Sequence, residues 1–192
     1  MGKVVITFSM SLDGFIAGPD VSMDNAMGVG GDRLHKWMFQ SGPESNIDLR
    51  MAKEISAKVG AVILGKRTFD IGLQYWNDTP YPVPSFVLTH ETRDKAEMKS
   101  AAFTFVSDGI GSAVRQAKSA ADGKDIIVMG ANVAQQLMKQ GFADEIHIQL
   151  VPVLLGNGIH LFEHLGTAPI ELTIGRVVNS PNIIHLKFEI AK

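Results

Sequence analysis

Two short apolar runs in this sequence end at a glycine and lead directly into a helical pattern. They are ILGKRTFDIG, residues 63–72, and IIVMGANVAQQLM, residues 126–138. Apolar, β-branched runs of this length predict buried strands, and strands that alternate with helices predict parallel pairing in a helix-covered sheet. The two runs therefore favour an α/β fold over an all-helical or all-strand one.

The first two-thirds of the chain continue this alternation. Helices are predicted around residues 32–40, from Pro43 to Gly60, from Arg67, and over 110–121. In the second of these helices, Ile47, Met51 and Ile55 form one apolar stripe. The predicted strands are residues 3–8, 61–65, 85–89, 103–106 and 126–129.

The last third has a different pattern. EIHIQL (145–150) alternates strictly, with Ile146, Ile148 and Leu150 on one face, and ELTIGRVV with NIIHLKFEI predicts a hairpin around residues 179–182. Antiparallel strands are typical of such patterns. We predict one domain over residues 1–192, with a mixed, mainly parallel sheet, helices on both faces and a C-terminal antiparallel hairpin.

Composition excludes several classes of function. Hydrophobic residues make up 45% and charged residues 20%, which is typical of a globular protein. A net charge of −2 argues against a nucleic-acid partner, and the lack of cysteine excludes thiol nucleophiles and cysteine zinc sites. We expect a cytoplasmic protein, because the N-terminus lacks a signal-peptide pattern and no apolar stretch approaches the roughly 20 residues that span a bilayer.

The two glycine turns are candidate phosphate sites. Backbone N–H groups at a helix start attract anions, and glycine lets a ligand approach closely. At Gly130 the alternative is a plain strand-to-helix turn, since a dinucleotide fingerprint needs three spaced glycines. Lys66 and Arg67 oppose the dipole of the helix that they begin, which favours a bound anion there; a solvated charge pair is the alternative.

Other polar motifs are weaker. Thr89, His90 and Arg93 follow a predicted strand and carry groups that donate to phosphate. HLFEH (160–164) matches a zinc-hydrolase pattern, but its glycine- and proline-rich surroundings do not favour a helix, so we predict no metal site. His147 and His185 are predicted to face solvent or to pack at an edge. Without a nucleophile motif, a cofactor is expected to supply the chemistry.

In order, SMSLDGFIAG (9–18), VILGKRTFD (62–70), FVLT (86–89), VMGANVAQQLM (128–138) and GFADEIHIQLVPVLLGNGIHLF (141–162) resemble the dihydrofolate reductase fold. They resemble more closely its riboflavin-biosynthesis reductase family, which includes the C-terminal half of the bifunctional pyrimidine deaminase–reductase. The resemblance implies NADPH as cofactor, a small-molecule substrate and a homodimer, in which the final hairpin and the sheet edge pair between subunits.

The resemblance also implies roles for particular residues. Ile16 and Ala17 would line the nicotinamide pocket beneath a mobile loop at 18–31. Gly65, Lys66, Arg67 and Thr68 would hold phosphates opposite the turn formed by Gly130, Ala131, Asn132 and Val133. Leu88, Thr89 and His90 would contact the adenosine end, where the last two favour NADPH over NADH through its 2′-phosphate.

The implied reaction is hydride transfer to a carbonyl or imine, most like the reduction of 5-amino-6-(5-phosphoribosylamino)uracil. Asp13 and Asp32 are the candidate catalytic carboxylates, although Asp32 could equally be the N-cap of the following helix. Dihydrofolate reductase has Met-Pro-Trp where this chain has Met27, Gly28 and Val29. Pterin reduction and a non-catalytic NADPH-binding module are the alternatives.

Overall fold

The computed structural model describes residues 2–39 and 45–191, so the predicted helix start at Pro43 lies outside the described residues. The strands are β1 (Val4–Ser11), β2 (Phe15–Ala17), β3 (Val59–Gly65), β4 (Ser85–Leu88), β5 (Ala96–Glu97), β6 (Ala102–Val106), β7 (Asp125–Met129), β8 (Glu145–Val151), β9 (Ile159–His160), β10 (Leu172–Asn179) and β11 (Ile184–Ile190). The helices are a 3₁₀ helix (Gly31–Phe39), α1 (Ser45–Ser56), α2 (Lys66–Gly72), α3 (Ile110–Ala120) and α4 (Ala131–Lys139).

Contacts divide the chain into two compact units. Unit 1 contains the residues up to Ile6 and Lys58–Asp144, and unit 2 contains Thr7–Ala57 and the chain from Glu145 onward. Strand β1 contributes to both units. The sequence prediction of a single domain stays a prediction.

Unit 1 holds the parallel part of the sheet. Its strands follow the order β1, β7, β3, β4, β6, β5, and every neighbouring pair is parallel except β6 with β5. Leu64 lies opposite Met129, and Gly65 lies opposite Leu88. The carboxyl ends of β7, β3 and β4 therefore lie side by side, and each leads directly into one of the predicted binding segments.

Unit 2 holds the antiparallel part. Its strands follow the order β10, β11, β8, β1, and β2 pairs with β9 in a separate small sheet. Leu34 and Trp37 of the 3₁₀ helix form an apolar core with Val151 and Ile183, and Leu155 packs against it.

The strands of unit 2 have one polar and one apolar face. Cross-strand register aligns Arg176 with Lys187 and His147 on one face, and Ile174 with Phe188 and Ile146 on the other. A register shift at Gly175 keeps both Ile174 and Val177 on the apolar face. These two side chains are 69% and 55% exposed.

Helix α1 packs through charged groups, which differs from the predicted apolar stripe. Asp48 is fully buried and its Oδ1 lies 2.8 Å from Nε2 of His185, which is also buried. Ile47, Met51 and Ile55 are only partly buried. His185 was predicted to face solvent or to pack at an edge, and both alternatives were wrong: it is buried on β11, which lies between β10 and β8, and the Asp48 carboxylate from α1 gives its ring a hydrogen-bond partner.

Glycine explains another difference in the boundaries. Gly60 was predicted to end a helix, but α1 ends at Ser56 and Gly60 lies within β3. A Cβ on residue 60 would overlap the backbone oxygen of Ala121, so close packing rather than helix termination requires glycine here.

The loop at 18–31 is internally hydrogen-bonded. The Gly18 N–H donates to the Met27 carbonyl oxygen at 2.9 Å, and the Val29 N–H donates to the Pro19 carbonyl oxygen at 2.8 Å. The segment therefore has a defined conformation of its own, as compact surface loops do.

The predicted α/β class, with its mixed, mainly parallel sheet and its C-terminal hairpin, is confirmed. Across residues 2–39 and 45–191, no helix has both the length and the apolar character that crossing a membrane requires.

Candidate cofactor site

Unit 1 brings the two glycine turns together. Gly130 precedes α4 with φ 95° and ψ 135°, and a Cβ there would lie 2.6 Å from Oγ1 of Thr68. Gly65 precedes α2, and a Cβ there would lie 3.4 Å from Cγ2 of Val133. Each turn thus faces the first residues of the other helix, as the phosphate prediction requires.

Both helices begin without a side-chain cap. Neither Gly65 nor Gly130 offers a capping group, and no side-chain cap hydrogen bond forms at either start. The first N–H groups of a helix have no intrahelical acceptor. In α4, Ala131, Asn132 and Val133 therefore present backbone donors at a helix start, which is the arrangement that binds anions.

Lys66 has a partner that sequence reasoning missed. Its Nζ lies 2.8 Å from Oδ1 and 2.6 Å from Oδ2 of Asp70, one turn along α2. The i,i+4 spacing of the two residues was the available signal. Asp70 therefore counters part of the charge that Lys66 would offer to a phosphate, and the side chain of Arg67, the next residue, is exposed.

The end of β4 and the two residues after it place Leu88, Thr89 and His90 beside the turn at Gly65. Leu88 pairs with Gly65, Thr89 is buried and His90 is exposed. The Thr89 hydroxyl accepts the Glu91 N–H at 3.1 Å and keeps its own proton available for donation.

Arg93 follows in the same segment. Its guanidinium carbon lies 4.6 Å from the ring centroid of Phe105 and 5.8 Å from that of Phe69. Such cation–π contacts hold a guanidinium in a defined position.

In unit 2, Ile16 and Ala17 lie on β2 and are both buried at 8% exposure. Ala17 pairs with Ile159 of β9. A Cβ on residue 158 would overlap the Ala17 carbonyl oxygen, so the backbone of Gly158 packs directly against the Ala17 peptide.

The two candidate catalytic carboxylates have different surroundings. The Ser11 hydroxyl, followed by the N–H groups of Gly156 and Leu155, hydrogen-bonds to the Asp13 carboxylate and lowers its pKa to about 2. Asp13 is therefore ionised at neutral pH and is a poor proton donor. A structural role fits this geometry, and its predicted catalytic role stays untested.

Asp32 lies inside the first turn of the 3₁₀ helix, which begins at Gly31, so it is not the N-cap of that helix. Its side chain is exposed and accepts no side-chain hydrogen bond within the part of the chain that the structure describes. One 3₁₀ turn later, burial lowers the pKa of His35, and the charge of Asp32 opposes that shift.

The HLFEH pattern does not form a helix. His160 ends β9 and its ring lies against Phe15, with the centroids 3.8 Å apart and the ring planes tilted by 32°, whereas His164 is exposed. Among residues 2–39 and 45–191, no group of three or more His, Asp or Glu side chains is placed to hold a metal ion.

Residues 2–186 match the family model described as the RibD C-terminal domain. An uncharacterized protein, YwjB, of Bacillus subtilis strain 168 is 26% identical over 163 residues, covering 85% of this chain and 84% of its own. The resemblance drawn from the ordered motifs is therefore confirmed.

Three solved structures show the same fold. A putative riboflavin biosynthesis protein from Shewanella sp. PV-4 has a TM-score of 0.75 at 20% identity, covering 99% of both chains. Dihydrofolate reductase from Enterococcus faecalis, complexed with NADP(H), has a TM-score of 0.55 at 13% identity, covering 100% of this chain and 98% of its own. The bifunctional deaminase/reductase from Thermotoga maritima has a TM-score of 0.65 at 12% identity; 99% of this chain matches 57% of that one.

Proposed function

Because this chain belongs to the RibD C-terminal domain family, we propose that it is an NADPH-dependent reductase. Its substrate is a small heterocyclic compound with a reducible carbonyl or imine, and its reaction is most like that of 5-amino-6-(5-phosphoribosylamino)uracil reductase. The observation that supports this most is the apposition of the two uncapped glycine turns in unit 1.

The residues of these turns fit the phosphates of NADPH. Because Thr68 lies where a side chain on residue 130 would be, glycine at this position lets the first turn of α2 come close to the start of α4. The N–H groups of Ala131, Asn132 and Val133 would hold the pyrophosphate from one turn, and Gly65, Arg67 and Thr68 from the other. Lys66 contributes positive charge that Asp70 partly offsets.

The adenosine end of NADPH would be contacted by the end of β4 and the two residues that follow it. Leu88 would contact it, and the Thr89 hydroxyl and the His90 ring would donate to the 2′-phosphate, which NADH lacks. Ile16 and Ala17 would contact the nicotinamide.

When bound, NADPH supplies the hydride. The protein must then orient the acceptor carbon and provide a proton. Asp32 is the carboxylate that we assign to the substrate, as a contact or in passing on a proton from water, because the Asp13 carboxylate is occupied by hydrogen bonds to the Gly156 and Leu155 N–H groups. We expect Asp32→Asn to lower turnover and to leave NADPH binding unchanged.

The proposal includes a homodimer and a cytoplasmic location. The apolar face of β10 and β11 carries no charge at the paired positions Leu172 with Ile190, Ile174 with Phe188 and Val177 with Leu186. Two copies related by a two-fold axis bring identical patches together, and an uncharged patch meets itself without burying a charge. A chain without cysteine suits a reducing compartment.

The decisive experiment is thermal unfolding with NADPH and with NADH, titrated separately. A ligand at 100 times its dissociation constant stabilises the native state by about 2.7 kcal/mol, which for this size is a shift of roughly 5–10 °C. We expect that shift with NADPH and a much smaller one with NADH. No shift with either would mean that the glycine turns are only structural.

A substrate screen then separates the alternatives. Oxidation of NADPH with a pyrimidine or simple carbonyl substrate supports the leading proposal. Turnover of dihydrofolate with tight antifolate inhibition favours pterin reduction. Binding of NADPH without turnover of any reducible substrate leaves the non-catalytic module.

A further inference from the structure

The turn between β1 and β2 is joined to a segment far along the chain, at residues 153–161. The Leu12 N–H donates to the Val153 carbonyl oxygen at 2.9 Å, and the Leu161 N–H donates to the Gly14 carbonyl oxygen at 3.2 Å. The two hydrogen bonds hold the turn and residues 153–161 side by side within unit 2. Between them, the Asp13 carboxylate accepts two backbone hydrogen bonds.

The Asp13 carboxylate holds the second segment through two backbone donors. Its Oδ2 accepts the Gly156 N–H at 2.8 Å, and its Oδ1 accepts the Leu155 N–H at 3.2 Å. The Leu155 side chain packs against the apolar core of unit 2. The backbone at Leu155 and Gly156 is therefore held both by the Asp13 carboxylate and by the packing of the Leu155 side chain.

Two residues further on, Gly158 meets the peptide of Ala17. A Cβ on residue 158 would overlap the Ala17 carbonyl oxygen, and its φ of 147° lies in a region that favours glycine. Ala17 also pairs with Ile159. Any displacement of residues 155–158 is thus transmitted directly to the backbone of β2.

We infer that Asp13 is a positioning residue, whose carboxylate fixes residues 155–158 and through Gly158 fixes the Ala17 peptide that would contact the nicotinamide. This inference rests on the proposed function. It explains why a carboxylate occupies the turn without acting as an acid, since an ionised acceptor makes stronger hydrogen bonds to two N–H groups than a neutral one does.

The test compares two ligands on four proteins. The ligands are NADPH and 2′-phospho-ADP-ribose, which lacks only the nicotinamide. The proteins are the wild type, Asp13→Asn, Gly158→Ala and the control Asp78→Asn. Asp78 in unit 1 likewise accepts bonds from a serine hydroxyl and backbone N–H groups, those of Ser100 and Thr79. The Asp78→Asn variant therefore measures how much ligand binding changes when a comparable set of carboxylate hydrogen bonds is removed elsewhere in the protein.

We expect Asp13→Asn and Gly158→Ala to weaken NADPH binding about ten-fold or more, because misplacing a contact group by about 1 Å has effects of this order or larger. Both should change the affinity for 2′-phospho-ADP-ribose less than about two-fold. Asp78→Asn should affect the two ligands equally. Amide hydrogen exchange over residues 14–18 should accelerate in Asp13→Asn and not in Asp78→Asn.

The outcomes separate the two levels of the proposal. If the wild type binds neither ligand, the proposed function fails. If the wild type binds NADPH but Asp13→Asn weakens both ligands equally or neither, or leaves the exchange at residues 14–18 unchanged, the positioning role is overturned while the cofactor assignment stands.

Discussion

At the scale of single residues, Gly130 is the position where sequence and geometry agree most closely. Its φ of 95° lies outside the range that residues with a Cβ adopt readily, and Thr68 occupies the direction in which a Cβ would point. The strain and the contact are separate requirements for glycine, and they can be tested separately.

Gly130→Ala combines both effects. We expect the free energy of unfolding to fall by about 1–3 kcal/mol, the usual range for a strained backbone conformation, and NADPH to bind more weakly. The control is Gly141→Ala, where φ is 70° and no atom lies within 4 Å of a Cβ. Urea denaturation should show a loss in both variants, whereas NADPH titration should show one only in Gly130→Ala.

His35 makes stability depend on pH. Its Nε2 is buried and has no hydrogen-bond partner within the described chain, and burial lowers its pKa below the ordinary 6.5. The unfolded state therefore binds a proton more readily, so stability is retained above about pH 6.5 and is lost as the pH falls through the lowered pKa.

Replacing His35 by Leu should flatten that dependence between pH 7 and pH 5, as measured by urea denaturation at each pH. His164→Gln is the control, since its side chain is 82% exposed. A wild-type slope unchanged by His35→Leu would show that other groups cause the loss.

At the scale of elements, α1 is joined to the sheet by two side-chain contacts of different depth, one a buried hydrogen-bonded pair and one an exposed ion pair. Asp48 and His185 are both buried, whereas Glu54 and Arg176 form an exposed pair at 3.0 Å. Removing one partner of a buried pair leaves the other uncompensated, but exposed pairs contribute little.

We expect Asp48→Ala to lower the free energy of unfolding by about 3–5 kcal/mol and Glu54→Ala by at most about 1 kcal/mol. Both substitutions lie on the same helix and replace a carboxylate by alanine. Equal losses in urea denaturation would show that burial of the Asp48 pair has no special weight.

Strands with a long apolar or alternating pattern could be predicted from the sequence, and very short strands could not. The parallel strands were found because three or more apolar residues mark each of them. Strands β2, β5 and β9 have only two or three residues, and too few alternations exist to reveal them. The inward position of Asp48 was missed because its partner, His185, lies 137 residues away.

The candidate site shows the same limit. The glycine turns and their order could be predicted, since each is a local strand-to-helix signal. The hydrogen bond between the Asp13 carboxylate and the Gly156 N–H could not be predicted, because only the folded chain brings these positions together.

At the scale of the whole molecule, the apolar face of β10 and β11 carries the dimer proposal. Soluble monomeric proteins rarely expose large apolar patches, so such a patch indicates an interaction surface. We expect the wild type to sediment as a dimer at micromolar concentration and Ile174→Lys to sediment as a monomer.

Thr173→Lys is the matched control. Thr173 is adjacent on β10 but pairs with Glu189 on the opposite face, where a lysine is compatible. It should therefore remain a dimer. A wild type that sediments as a monomer, or a Thr173→Lys variant that dissociates like Ile174→Lys, would contradict the assignment of this face.

The route of the chain through β1 also affects how the protein is made. Thr7–Ala57 belongs to a unit whose other strands begin only at Glu145, with all of Lys58–Asp144 in between. At roughly 5–20 residues per second, a ribosome takes some seconds to synthesise that insertion. During this interval the early segment lacks its partner strands, so the nascent chain exposes apolar surface that chaperones recognise.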